Sequence, residues 1–361
     1  MPWETRCQQL RQALTEQGLP AVLCCDLANI AYLTGFRGDA GWLLVTAREV
    51  LLFTDGRFET QAKEELRIGE ANIIADDLLE AVASAITDRR LASLGFEAQA
   101  LSFATHQRLA AKLDGVSMRP TESVVENLRL RKDPGELQAI ERTLRLTETA
   151  LRQVAADIGI GVTETEVAAE LEHTMRRLGA EKPAFDTIVA FGPRAALPHA
   201  RPTARELGGG DAVLIDMGGT VDGYCADITR TFFLGEPIAP AQTAYRAVLA
   251  AQQAGLSKLV PGLPCSEAHQ AAREALEAYG LAQAFKHSLG HGVGIQVHEG
   301  PRVSQKSKDH VASGMVVTVE PGVYVEGQFG IRVEEMAAIE AHGPRVLNAY
   351  PNSLEEMILE P

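Results

Sequence analysis

Apolar and polar positions along this chain follow two rhythms. In the first third, short apolar runs at Ala21–Asp26, Gly41–Thr46, Val50–Thr54, Ala71–Ala75 and Leu94–Glu97 read as strands. Between them, Trp3–Gln17, Phe58–Leu66, Leu78–Thr87 and Phe103–Leu113 carry apolar residues at helical spacing. Strand and helix in alternation predict an α/β unit. The last two thirds read differently. Long helices are expected after Asp133 and Thr163, and over Ala241–Leu259 and Ser266–Tyr279. Gly-punctuated strands are expected at Ala212–Met217, Tyr224–Leu234, Met315–Val319 and Ile331–Glu340. That pattern predicts an α+β unit with an antiparallel sheet.

Punctuation sharpens the boundaries. Met118-Arg-Pro-Thr-Glu-Ser reads as a turn, and a charged stretch, Arg129–Lys132, follows. Asp133-Pro134-Gly135-Glu136 then combines an N-cap, a proline at N1 and a capping-box glutamate. A domain boundary is therefore expected within Arg119–Asp133, dividing residues 1–125 from 126–361. A second capping box, Thr163-Glu-Thr-Glu166, opens a helix that stops at Gly179.

Composition narrows the class. The chain has 361 residues, of which 46% are hydrophobic, enough for a sizeable core in each of two domains. A net charge of −14 with no Lys/Arg-rich run argues against a nucleic-acid or anionic-membrane partner. No apolar run approaches the roughly 20 residues that span a bilayer. The first residues, Met-Pro-Trp-Glu-Thr-Arg, lack the apolar core of a secretory signal, so the expected location is the cytoplasm. The five cysteines form no C-x-x-C pair and read as reduced, mostly buried thiols.

Chemistry concentrates in two hairpins. In the first, a turn near Val221-Asp222-Gly223 brings Asp216 opposite Asp227 if Val221 faces Asp222. In the second, symmetric pairing about Gly327 brings Glu320 opposite Glu334. Like charges facing each other across a sheet destabilise it, and two such pairs call for a compensating cation. Between the hairpins lies His291, in Ser288-Leu-Gly-His-Gly-Val-Gly-Ile295, flanked by glycines that let backbone or substrate approach closely. Four carboxylates and one imidazole are too oxygen-rich for a closed structural zinc site. They suit two hard or borderline cations, with Mn²⁺ or Co²⁺ expected.

These residues resemble those of the M24 "pita-bread" metallopeptidases, which include Xaa-Pro aminopeptidase, Xaa-Pro dipeptidase (prolidase) and methionine aminopeptidase. Asp216, Asp227 eleven residues later, His291, Glu320 and Glu334 stand in the order of that family's metal ligands. Their contexts agree: Ile215-Asp-Met-Gly, Ala226-Asp-Ile-Thr-Arg-Thr-Phe, Leu289-Gly-His-Gly-Val-Gly, Val319-Glu-Pro-Gly-Val-Tyr and Ile331-Arg-Val-Glu-Glu. Asn29-Ile-Ala-Tyr-Leu-Thr-Gly-Phe-Arg-Gly and Phe53-Thr-Asp-Gly-Arg57 resemble the N-terminal domain of prolidases, aminopeptidases P and creatinases. Methionine aminopeptidases lack that domain, and creatinases do not use the metal ligands.

The resemblance implies a pita-bread catalytic domain preceded by a smaller, creatinase-type α/β domain. It implies two divalent ions per chain, Mn²⁺ first and Co²⁺ or Zn²⁺ as alternatives. The implied reaction is hydrolysis of the Xaa-Pro bond of a proline-containing peptide or dipeptide, by a homodimer. Glu320 would bind metal and carry the proton of the attacking water to the leaving nitrogen. His199 and His298 would hydrogen-bond the substrate carbonyl and the oxyanion. His287 would lie near the proline pocket, and Tyr324 and Arg332 would support the ligands. Two alternatives stay open: a strict dipeptidase, and a non-catalytic binding protein on the same fold.

Overall fold

The computed structural model describes residues 2–360, and the chain divides into two compact units, Met1–Arg129 and Leu130–Pro361. The first contains α1 (Pro2–Glu16), β1 (Ala21–Cys24), α2 (Leu27–Thr34), β2 (Trp42–Thr46), β3 (Val50–Asp55), α3 (Glu59–Glu65), β4 (Glu70–Ile74), α4 (Leu78–Asp88), β5 (Ser93–Glu97), α5 (Phe103–Ala110), β6 (Ser117–Thr121) and α6 (Val124–Arg129). Its strands form one mixed sheet in the order β4-β3-β2-β1-β5-β6. On one face, Leu79, Val82 and Ile86 of α4 and Leu109 of α5 share a core with Leu23, Leu44, Phe53 and Leu94.

Two elements depart from expectation. Leu27–Thr34 is a helix, because Asp26 caps it by accepting from Asn29 N and Gly35 closes it at φ 84°. The stretch expected as a turn, Met118–Ser123, begins within β6. Pro120 is accommodated there because β6 is an edge strand, where a missing N–H costs no ladder bond. Asp55 and Arg57 form an ion pair at 2.8 Å.

The second unit opens with α7 (Pro134–Ala155) and α8 (Glu164–Leu178), both starting in complete capping boxes. There follow β7 (Lys182–Pro183), β8 (Ile188–Phe191), β9 (Ala212–Met217), β10 (Gly219–Val221), β11 (Tyr224–Cys225), β12 (Ile228–Leu234), α9 (Ala239–Ser257) and α10 (Cys265–Glu277). The chain ends with β13 (Gly290–Gly292), β14 (Glu299–Val303), β15 (Val316–Val319), β16 (Gly322–Val325), β17 (Phe329–Arg332), β18 (Glu335–Glu340), β19 (Gly343–Val346) and β20 (Ile358–Leu359). One sheet runs β20-β12-β9-β8 and another β14-β13-β15-β18-β19. Their apolar side chains, among them Val213, Ile215, Phe233, Val317 and Val319, share a core with Leu171, Tyr245, Val248 and Ala272 of the helices. This is the pita-bread α+β architecture. No helix among the described residues is long and apolar enough to cross a membrane.

The two hairpins differ in register. Asp222 and Gly223 have φ of 52° and 77°, the signature of a two-residue type I′ turn. Val221 therefore pairs with Tyr224, and the Cα partner of Asp216 is Thr229, not Asp227. The expected pairing left no residues for the turn itself. Asp227 instead lies on the same strand face as Thr229, diagonal to Asp216. The second hairpin keeps its expected register: Val325 pairs with Phe329, Gly322 with Arg332 and Val319 with Glu335, which sets Glu320 level with Glu334.

Candidate active site

The strands expected over Tyr224–Leu234 and Ile331–Glu340 are each interrupted, the first at Ala226–Asp227 and the second at Val333–Glu334. Each break falls at a carboxylate-bearing residue, and both carboxylates line one cavity. Asp216 comes from the end of β9, His291 from the middle of β13, and Glu320 from the residue after β15. Gly290 and Gly292 let β13 pass between its neighbours: a Cβ on either would collide with Thr318 O or Gly300 O.

These five residues line a cavity of about 610 Å³ together with His199, His287, His298 and Arg332. Ligand atoms of Asp227, His291 and Glu334 all lie within 4.8 Å of one another. His291 Nε2 is 3.4 Å from Glu320 Oε1 and 3.6 Å from Asp227 Oδ2. Its other nitrogen, Nδ1, faces Gly292 O at 3.1 Å. A carbonyl only accepts, so Nδ1 carries the proton and Nε2 turns its lone pair toward the carboxylates. Burial, with His298 beside it, lowers the His291 pKa to about 4, so the ring is neutral at ordinary pH. Its centroid is 4.3 Å from that of His298.

Lone pair thus faces lone pair. Asp216 Oδ1, Asp227 Oδ1 and Glu334 Oε1 are buried without a hydrogen-bond partner. Burial and mutual repulsion raise Asp227 and Glu334 well above the usual carboxylate range, and burial with Asp216 nearby pushes Glu320 up to about 8. Buried orphan acceptors of this kind cost several kcal/mol unless something positive satisfies them (about 1–3 kcal/mol or more per group). Oxygen and imidazole donors suit a divalent metal ion, so the residues present fit one.

The remaining contacts orient these groups. Arg332 donates through Nη2 to Asp216 Oδ2 at 2.6 Å, through Nε to Thr229 Oγ1 at 3.1 Å, through Nη1 to Tyr324 Oη at 2.7 Å and to Pro198 O at 3.2 Å. Thr229 in turn donates to Glu334 Oε2 at 2.8 Å, and Thr318 donates to Glu320 Oε1 at 3.3 Å. His287 Nδ1 faces Ser288 O at 2.8 Å, so its Nε2 accepts from Tyr324 Oη at 2.9 Å. Burial, with Arg332 nearby, lowers His287 to about 3, and burial raises Tyr324 to about 12, which keeps that donor–acceptor order fixed. His199 and His298 are exposed on the cavity wall.

Of the ten residues expected from sequence, nine line this cavity, and Tyr324 touches it through His287 and Arg332. Thr229 and Thr318 were not anticipated. The signal was available, since each stands two residues from a candidate ligand (Asp227 and Glu320) and so shares its sheet face.

Fold and site together define a class, the metal-dependent hydrolases of pita-bread architecture. Residues 138–341 match metallopeptidase family M24, and residues 6–131 match the creatinase/prolidase N-terminal domain. The chain belongs to metallopeptidase family M24. It is 34% identical to the Xaa-Pro dipeptidase of Pyrococcus horikoshii, over 96% of this chain and 97% of that protein. A solved Xaa-Pro dipeptidase from Bacillus anthracis superposes with a TM-score of 0.95 at 33% identity, over 99% of this chain and 100% of that one. A solved X-Pro aminopeptidase from Thermotoga maritima gives 0.90 at 35% identity, over 96% and 98%.

Proposed function

We propose that this protein is an exopeptidase that hydrolyses the Xaa-Pro bond using two divalent ions, Mn²⁺ foremost, with Co²⁺ or Zn²⁺ as alternatives. The observation that carries the proposal is the convergence of orphaned carboxylate oxygens and an imidazole lone pair in one cavity. The names of the relatives support the bond cleaved. Asp216, Asp227, His291, Glu320 and Glu334 would hold the ions. Ions bound there would supply a nucleophilic water near neutral pH and Lewis acidity at the scissile carbonyl.

The chain's own groups do the rest. Glu320 has one oxygen toward His291 and a carboxyl easily protonated in this setting, so it can take a proton from the water and give it to the leaving proline nitrogen. That nitrogen is tertiary in the peptide and must be protonated to depart. His199 and His298, on the wall, would donate hydrogen bonds to the substrate carbonyl and to the oxyanion that forms. Arg332 fixes the Asp216 carboxylate by a charge-assisted bond and holds Tyr324 and the Pro198 carbonyl with the same planar group. His287 and Tyr324 form a pre-set polar edge beside the site.

A strict dipeptidase form of this activity is favoured by one further observation. Lys286 and Arg302 are exposed cations on the cavity wall, suited to a free carboxylate one residue beyond the cleaved bond. We further infer a homodimer in the cytoplasm, acting on peptides and not on nucleic acid or membrane. The five free cysteines fit a reducing compartment.

The test is turnover of Ala-Pro and Ala-Pro-Ala by metal-free protein reconstituted with Mn²⁺, Co²⁺ or Zn²⁺. Cleavage of Ala-Pro alone supports the dipeptidase form, and cleavage of both supports the aminopeptidase form. No cleavage of either, with metal bound, refutes the proposal in favour of a binding protein.

A further inference from the structure

His199 sits on a connection that leaves β8 at Phe191, passes through a short 3₁₀ turn at Gly192–Ala196 and runs without regular structure from there to Thr203, alongside the start of α8. A loop of this kind has no ladder to fix it, yet a group that contacts substrate must be held within fractions of an ångström. One buried side chain closes its base. Glu164, the first residue of α8, has no solvent exposure. Its Oε1 accepts from Phe191 N at 2.9 Å and from Arg194 Nε at 3.0 Å. Its Oε2 accepts from Thr203 N at 2.9 Å, from Thr203 Oγ1 at 2.6 Å and from Arg194 Nε at 3.0 Å. Arg194 then crosses the loop to donate to Arg201 O at 2.7 Å. Both ends of the loop and its middle thus converge on one carboxylate. On the cavity side, Arg332 holds Pro198 O, the carbonyl next to His199.

We infer that Glu164, with Arg194, is a positioning residue that sets His199 for the reaction. The inference rests on the role proposed above for His199. An ionised carboxylate in a fully buried place is a poor choice for stability alone, because well-packed apolar groups commonly do as well or better there. What it supplies is direction. Four donors from three loop residues, making five hydrogen bonds, fit a carboxylate in one arrangement, and the helix N-terminus favours its charge. The loop cannot shift without breaking several of these bonds together.

A double-mutant cycle tests this, using the full-length protein loaded with Mn²⁺ and assayed on Ala-Pro. Glu164→Gln turns one acceptor into a donor amide facing loop N–H groups. It should lower kcat about 10–100-fold with metal content unchanged, as displacement of a substrate-contacting group does. In a His199→Ala background the same change should have less than about a 2-fold effect, because its target is gone. Thr203→Val removes a single donor; it should cost severalfold in kcat and show the same dependence on His199, which keeps the test open if Glu164→Gln folds poorly. A full effect of either change in the His199→Ala background overturns the inference, since the residue would then act on the fold or the metal. So does wild-type kcat in both variants. Wild-type kcat in His199→Ala alone would show that the role of His199 has failed, and the positioning role would fall with it.

Discussion

Glu334 and Glu335 are neighbours in the chain, both buried, and point to opposite sides of the sheet. Glu335 Oε1 accepts from Arg230 Nη2 at 3.0 Å and from Asn352 Nδ2 at 2.9 Å. Arg230, fully buried, spends its other donors on the carbonyls of Thr229, Glu334, Tyr350 and Pro351. On that side the positive charge is supplied by the fold. Each glutamate leaves one oxygen without a hydrogen-bond partner, but Glu334 receives only a hydroxyl and faces Asp216, Asp227 and Glu320, with the buried Arg332 bonded to Asp216 and not to it. Burial of a carboxylate therefore signals nothing by itself. Burial with an excess of negative charge marks the side where a cation belongs, and the comparison can be broken experimentally.

Chelation should have the largest effect: turnover is lost and returns on adding Mn²⁺. The pH dependence of stability gives the sign. In metal-free protein Asp227, Glu320 and Glu334 have pKa values raised above their unfolded values, Glu320 to about 8. The folded state then binds more protons than the unfolded state, so stability falls as pH rises. The contribution of these groups is complete below about pH 4 and is lost progressively up to about pH 8 for Glu320. Thermal unfolding of chelated and Mn²⁺-loaded protein across that range should show a downward slope for the first and a flatter one for the second. Equal slopes would mean the site carboxylates are not compensated by metal.

Next come single changes on each side. Glu320→Gln should lower kcat roughly 10²–10⁴-fold, as loss of a general base does, with the unfolding midpoint little changed or raised. Arg230→Met strands the buried Glu335 and should cost about 3–5 kcal/mol in denaturant unfolding while folded molecules still turn over. If Arg230→Met removed activity as thoroughly as Glu320→Gln at full stability, the division between the two sides would be wrong. A smaller effect is expected for Thr229→Val. This residue donates to Glu334 and accepts from Arg332, so metal titration should show affinity reduced about 10–100-fold with the fold intact.

How much of this was visible in the chain depends on the physical range of the signal. Capping boxes at Asp133 and Thr163 are local hydrogen-bond patterns, and both helices start where those residues say. The Glu320–Glu334 register follows from symmetry about Gly327. The Asp216–Asp227 register does not, because Asp222 and Gly223 both adopt positive φ and a reader must count them as the turn. The strand breaks at Asp227 and Glu334 had no local cue, being set by the convergence of distant strands. The same holds for Arg230 and Glu164, whose partners, the adjacent Thr229 apart, lie from 27 to 121 residues away in sequence. Helix α2, between Asp26 and Gly35, could have been found from its caps.

The smallest effect belongs to the largely exposed carboxylate of the first hairpin. Asp222, at the turn, pairs with Arg142 Nη2 at 3.0 Å, and both side chains are largely exposed, at 62% and 49%. Solvent screens this attraction, and holding two long side chains together costs entropy, so a double-mutant cycle with Arg142→Ala should return about 0–1 kcal/mol. Asp222→Asn removes the charge but keeps a residue that tolerates positive φ, so the turn and the register behind it should survive, with unfolding shifted by no more than about 0.5 kcal/mol. The same residue type at Asp227, a few positions along the hairpin, is buried among like charges and should be indispensable. A coupling well above about 1 kcal/mol at Asp222 would show that charge in this hairpin matters for stability even in water. Distance from solvent would then no longer separate the carboxylates that hold the fold from those that await a metal.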